Sequence, residues 1–212
     1  MGDPTPTPES GRLDVEFRTH VARAFEFDEP PETFEAFWRR MTETFAEALD
    51  RDVTVDDLCT TDESPHWATV DGETRHYRCV TDAFVLGTYL DEPTTARTVS
   101  PVSGTELVVE FDADGVVSAP EDAVLSFGVE RSVEAPEGPV TPATMYGRFC
   151  PYSKAFASRE EYQQWDADNP EVVSDVQSLD ESLALQARFL DDAGSLGDTT
   201  GSRWSSDGGC SR

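Results

Sequence analysis

Lysine is all but missing from this chain. Of 16 basic side chains among 212 residues only Lys154 is a lysine, and they face 43 carboxylates, for a formal net charge of −27. No cluster of arginines offsets that balance, so phosphate backbones and anionic lipid headgroups are disfavoured as partners by repulsion. The carboxylates are spread along the chain rather than gathered in one tail. Such a composition resembles that of a cytosolic protein from a salt-loving organism, where concentrated salt screens self-repulsion and dense carboxylates keep the surface hydrated. The charge therefore reports habitat more than partner.

Long apolar runs are lacking too. No segment approaches membrane-spanning length, and Met1-Gly-Asp-Pro-Thr-Pro-Thr-Pro has neither the basic start nor the apolar stretch of a signal peptide. The expectation is a soluble, cytoplasmic protein that binds neither nucleic acid nor membrane. Cysteine is scarce, with four, at positions 59, 79, 150 and 210. In a reducing compartment these are expected to be thiols rather than a disulfide framework. No C-x-x-C motif is present, and His66 and His76 have no H-x-x-x-H companion, which argues against a zinc site.

What is present suffices for one full core with a small accessory unit: 37% of the residues are hydrophobic and 12 are Phe. Apolar residues recur at helical spacing over Leu13 to Phe25 and over Pro31 to Leu49, with Pro31 suited to the first turn of the second helix. Val53 to Leu58 adds a strand or a third short helix, completing a small N-terminal, winged-helix-like subdomain. From His66 the pattern changes to short strands. His66 to Val70 and Thr74 to Arg78 flank the turn dipeptide Asp71-Gly72, and further strands are expected at 97–99, 106–111, 115–118 and 123–129. Between them Asp82 to Leu90 reads as a helix capped by Thr81 or Asp82. Ser158-Arg-Glu-Glu161 and Ser178-Leu-Asp-Glu181 resemble capping boxes for two later helices. The expected fold is α+β, an antiparallel sheet body with flanking helices. Its expected divisions are an unstructured segment over 1–11, a helical subdomain over 12–62, a catalytic body over 63–192 and a flexible tail over 193–212.

The chemistry gathers around Cys79, which ends the hairpin just before a helix start. A thiolate rather than a thiol is the effective nucleophile and soft-metal ligand. A helix N-terminus and the adjacent Arg78 would both favour thiolate if they pointed toward it. Asp82, about one turn further on, can share the pocket and relay a proton. Cys150, in Arg148-Phe149-Cys150-Pro151-Tyr152, supplies a second sulfur. A C-x-x-D alone also fits a buried cysteine followed by a capping aspartate.

Longer strings add to this. His66, Val70-Asp71-Gly72, Tyr77, Cys79 and Asp82, followed by Phe149-Cys150 and Phe156-Ala157-Ser158, together resemble the organomercurial (alkylmercury) lyase family over roughly residues 13 to 190. The resemblance implies Cys79, Asp82 and Cys150 as catalytic residues, with Cys79 and Cys150, and Asp82 as a further candidate, holding the mercury of substrate and product. The strings depart from the family at Arg78, where members often carry an aromatic residue, and at Pro151-Tyr152, where a second Cys and a His can occur. The implied reaction is protonolysis of R–Hg–X. One thiolate, Cys79, displaces X; Asp82 takes the proton of Cys150, a second sulfur binds, and Asp82 returns the proton to carbon, releasing R–H and leaving Hg(II) on the cysteine pair. No cofactor is required. Small thiols and a mercuric reductase are the implied receivers of Hg(II).

Two other classes compete. A soft-metal sensor or chaperone would keep the thiol pair and have little need for Asp82; a thiol oxidoreductase would cycle the pair through a disulfide. Around the site, Tyr77, Phe84, Phe149 and Tyr152 either line an apolar pocket for R or simply pack. Phe34, Phe37, Trp38 and Phe45 read as core, Cys59 as a small core residue, and Cys210 as an incidental thiol or a mercury shuttle on the tail.

Overall fold

Two amphipathic helices lead the chain, as their periodicity requires. In the computed structural model, which describes residues 11–51, 54–90 and 92–192, α1 spans Val15–Phe25 and α2 spans Phe34–Leu49. Asp14 caps α1 by accepting from the N–H groups of Glu16 and Phe17. Thr33 caps α2 through Ala36 N–H at 3.1 Å, so Pro31 precedes that helix instead of opening it. The expected third element over Val53 to Leu58 is a single 3-10 turn, Val55–Asp57, with Val53 itself outside the described residues. Residues 1–10 and 193–212, Cys210 among them, for which an unstructured segment and a flexible tail are expected, also lie outside the described residues.

The body is antiparallel, giving the α+β fold expected. Strands β1 (Thr60–Thr61), β2 (Trp67–Val70), β3 (Glu73–Tyr77), β4 (Thr94–Val99), β5 (Glu106–Asp112) and β6 (Gly115–Ser118) form one sheet in the order β1-β3-β2-β4-β5-β6. Asp71 and Gly72 both adopt positive φ, 50° and 80°, which is the geometry a two-residue hairpin turn demands. Helix α3 (Val80–Tyr89) follows β3 at once and lies across this sheet. The approach is close: a Cβ on Gly87 would meet the Phe111 ring at 2.2 Å.

A second sheet has three strands, β8 (Lys154–Phe156), β7 (Val124–Glu130) and β9 (Val172–Ser178), in the order β8-β7-β9. Helices α4 (Pro142–Phe149), α5 (Arg159–Asp168) and α6 (Leu179–Asp192) complete the chain. Cys150 lies in a 3-10 turn over Cys150–Tyr152 that joins the end of α4 to β8. Helix α1 rests on β7 and β9, while α2 rests on α4 and α6. One continuous apolar core therefore runs from Leu13 through Phe84 and Phe127 to Leu183.

Candidate functional site

Cys79 sits where β3 ends and α3 begins, and it occupies the N-cap position expected of Thr81 or Asp82. That position aims the free N–H groups of the first helical turn at its side chain. Burial pushes the Cys79 thiol up, but hydrogen bonds from Cys150, from the Thr81 hydroxyl and from the backbone N–H groups of Thr81 and Asp82 outweigh it and bring it down to about 6. Thr81, two residues after Cys79, lines the same cavity, and its buried hydroxyl favours the charge on that sulfur. Arg78 contributes nothing to this. Its side chain is exposed, and its backbone N–H donates to the Cys59 carbonyl at 2.9 Å.

Cys150 reaches the same place from the other half of the chain. A stack of rings delivers it: Phe149 lies parallel to Phe127 of β7 at 5.8 Å, and Trp38 of α2 meets both edge-on. Arg148 anchors the helix before it by donating to the carbonyls of Ala24 and Glu134. The Cys150 thiol is held well above the ordinary value, first because it is the donor to Cys79, then because it is buried beside that sulfur and Asp82. The two sulfurs are thus shifted in opposite directions, Cys79 down and Cys150 up.

Asp82 lies in the first turn of α3, on the face that Cys79 caps. Burial and the neighbouring Cys79 charge raise its carboxyl well above the usual range, opposed by the Cys59 N–H that donates to Oδ2 at 3.0 Å. The shifts run in complementary directions, favouring the charge on Cys79 and the protons on Cys150 and Asp82. Lys154, on β8, is half-buried; burial lowers its pKa and the two cysteines oppose that shift. Its type gave no sign of this from sequence beyond its rarity.

The three residues form the floor of a cavity of about 130 Å³. It is also lined by Trp38, Met41, Thr42 and Phe45 of α2, by Thr81, Val85 and Tyr89 of α3, by Met145, Tyr146 and Phe149 of α4, by Gln186 of α6 and by Leu58. Trp38 and Phe45, read as core from sequence, face this space. Phe149 does as well, whereas Tyr77, Phe84 and Tyr152 are not among the lining residues: Tyr77 and Phe84 belong to the core. Met41, Met145, Tyr146 and Tyr89 were not identified from sequence, because their helical spacing is the same as that of a packing residue. The Tyr146 hydroxyl donates to the Asp57 carbonyl.

One expectation is overturned. Cys59 is disulfide-bonded, not a thiol, and Cys79 and Cys150 are the free cysteines among the described residues. His66 and His76 are occupied elsewhere. His66 Nδ1 pairs with the Thr98 hydroxyl at 2.6 Å, burial holding its pKa down to about 4, and His76 Nδ1 sits 3.0 Å from the Ser64 carbonyl.

Two cysteines and an aspartate that line one largely apolar cavity in an α+β body are the donor set a soft electrophile and a proton relay call for. The chain belongs to the alkylmercury lyase family: the sequence model of that family, MerB, matches residues 59–191, which include Cys79, Asp82 and Cys150. Among solved structures, the mercury-bound form of MerB2 aligns over 85% of this chain and 99% of its own, at 13% identity and a TM-score of 0.49. Comparison with curated proteins gives no match. Among the described residues no helix is long and apolar enough to cross a membrane.

Proposed function

We propose that this protein cleaves the carbon–mercury bond of R–Hg–X by protonolysis, giving R–H and Hg(II), as part of mercury detoxification. The observation that carries the reading is geometric: Cys79 at the N-cap of α3, Asp82 in the first turn of that helix and Cys150 from the turn after α4 line one small cavity, and the shifts there favour the charge on Cys79 and the protons on Cys150 and Asp82. Cys79 attacks mercury, a soft centre, and X leaves with its electron pair. Its negative charge is then quenched. The Asp82 proton passes to the carbon while the C–Hg pair becomes the C–H bond. The Asp82 carboxylate so formed takes the Cys150 proton, and the freed thiolate closes onto mercury. The sum converts R–Hg–X, one thiolate and one thiol into R–H, X⁻ and a bis-thiolate Hg(II), with Asp82 restored.

This order differs in one respect from the sequence-based mechanism. An acid already protonated gives its proton first and takes one second. No cofactor enters the balance, and Hg(II) is product. Its release from two sulfurs calls for outside thiols or a receiving partner such as a mercuric reductase. The reading places the reaction in the cytoplasm of a salt-loving organism, in keeping with the acidic composition.

The test is to incubate purified protein in concentrated KCl with phenylmercury and excess thiol and to measure benzene. Release well above a Cys79→Ser control is expected. Asp82→Ala should retain mercury while losing turnover by at least about 100-fold, the usual scale for a general acid. Equal turnover in Asp82→Ala and parent would remove Asp82 from the mechanism, and no benzene from the parent would leave only a mercury-binding protein.

A further inference from the structure

Residues 54–59, between α2 and β1, form a strap against the site, and its own bonds fix where it touches. The Asp57 carboxylate accepts both Arg51 guanidinium nitrogens, at 2.7 and 2.5 Å. It also accepts the Thr54 N–H at 2.8 Å and the Thr54 hydroxyl at 3.0 Å, which closes the 3-10 turn Val55–Asp57. Three further points tie the strap to its surroundings. The Tyr146 hydroxyl of α4 donates to the Asp57 carbonyl, Leu58 lines the cavity, and the Arg78 N–H donates to the Cys59 carbonyl at 2.9 Å. So held, the Cys59 N–H reaches Asp82, 23 residues further along the chain, and donates to its Oδ2 at 3.0 Å in a buried contact.

On the reading that the chain is a carbon–mercury lyase, we propose that Cys59 is a positioning residue that acts through its backbone N–H. By holding Oδ2 it leaves Oδ1 to carry the Asp82 proton, and it stabilises the carboxylate that forms when that proton leaves. In the step itself the Oδ1–H bond breaks and the C–Hg electron pair becomes the C–H bond. The negative charge remains on Asp82, and mercury stays on the Cys79 sulfur. No side-chain cation meets that charge, since no arginine, lysine or histidine is among the lining residues. A hydrogen bond to an ionised acceptor is roughly twice as strong as one to a neutral acceptor, so the Cys59 donor gains strength as the charge develops. It therefore favours the transition state over the bound substrate. The Arg51–Asp57 clasp acts one step further back, by keeping the strap and its N–H in place.

The experiment removes the N–H with Cys59→Pro and takes Cys59→Ala as the reference, because alanine also lacks the Cys59 disulfide but keeps the N–H. Proline fits the local backbone: Leu58 before it has φ −67° and ψ 134°, and the lost N–H serves Asp82 rather than a strand partner. The kcat for phenylmercury, followed as benzene, should fall at least about tenfold from the Cys59→Ala value with KM unchanged, the scale of a hydrogen bond to a charged group. In an Asp82→Ala background the same change from alanine to proline should cost nothing more, because the N–H acts through that carboxyl. Equal kcat in Cys59→Pro and Cys59→Ala, or the same loss with and without Asp82, would overturn the proposal. If Cys59→Pro does not fold, an ester in place of the residue 59 amide, introduced with the α-hydroxy analogue of alanine, carries the same comparison. If the parent and Cys59→Ala release no benzene, the lyase reading fails separately, and infrared spectra then decide the role of the strap. The C=O band of the Asp82 acid, identified by its loss in Asp82→Ala, should move to higher frequency in Cys59→Pro. An unmoved or absent band would overturn the positioning.

Discussion

Cys79 owes its lowered pKa to neighbours rather than to exposure. It is 1% accessible, a position that by burial alone would make a thiol inert, and its donors reverse that effect. The Cys150 thiol is the first of these. Replacing it with alanine should move the midpoint of Cys79 alkylation, followed by iodoacetamide rate against pH, upward from about 6 toward the ordinary thiol value, while Cys150→Ser should keep part of the shift. An unmoved midpoint in Cys150→Ala would separate the two sulfurs. The turnover profile follows from the same groups. Activity should rise as pH climbs through the Cys79 value and fall again at higher pH, where Asp82 loses the proton it is held above the usual range to keep. A profile that stays flat across the thiol and carboxyl range would contradict both assignments. Cys79 and Asp82 were legible in the sequence because three residues make nearly one helical turn, so spacing alone puts them on one face. Cys150 was legible only through the family strings around it. The chamber walls were not legible: Trp38 and Phe45 repeat at the same period as Phe34 and Phe37, and period cannot tell a cavity from a core.

Helix α3 carries both Cys79 and Asp82, so its seating on the large sheet sets their position. Gly87 lets it approach. With the Phe111 ring buried in β5 and 2.2 Å from where a Cβ would stand, Gly87→Ala forces the helix or the ring to shift. The cost expected for such overpacking is about 1–3 kcal/mol, read as a lower midpoint of thermal unfolding. A midpoint equal to the parent's would show that α3 has slack. The strands from β2 to β7 were legible within a few residues, since turn residues bound them and β2, β4 and β5 alternate more and less buried side chains. Strand β9 was not anticipated. Its seven residues, Val172–Ser178, bury in pairs rather than alternately, and pairing with β7 holds them extended where local pattern is silent. Around Cys150 the sequence left the local structure open: Pro151 sits in a 3-10 turn, and Ser153 N–H is satisfied by the carbonyls of Phe149 and Cys150.

For the molecule as a whole, the charge of −27 sets the conditions under which the site exists at all. Self-repulsion among the carboxylates should be relieved by salt, so the thermal midpoint is expected to rise steeply with KCl through the molar range, and a midpoint independent of KCl would detach the composition from its salt-loving reading. The single core that joins α1 and α2 to both sheets makes the chamber a product of the entire described fold, since its walls come from α2, α3, α4 and α6 together. The central claim is that a proton held by the protein, exchangeable with water, replaces mercury on carbon. Turnover of phenylmercury with excess thiol in deuterated buffer, with the benzene examined by mass spectrometry, tests this most directly. Benzene carrying a single deuterium, released well above the Cys79→Ser background, is the predicted result; benzene without deuterium, or none above that background, would contradict it.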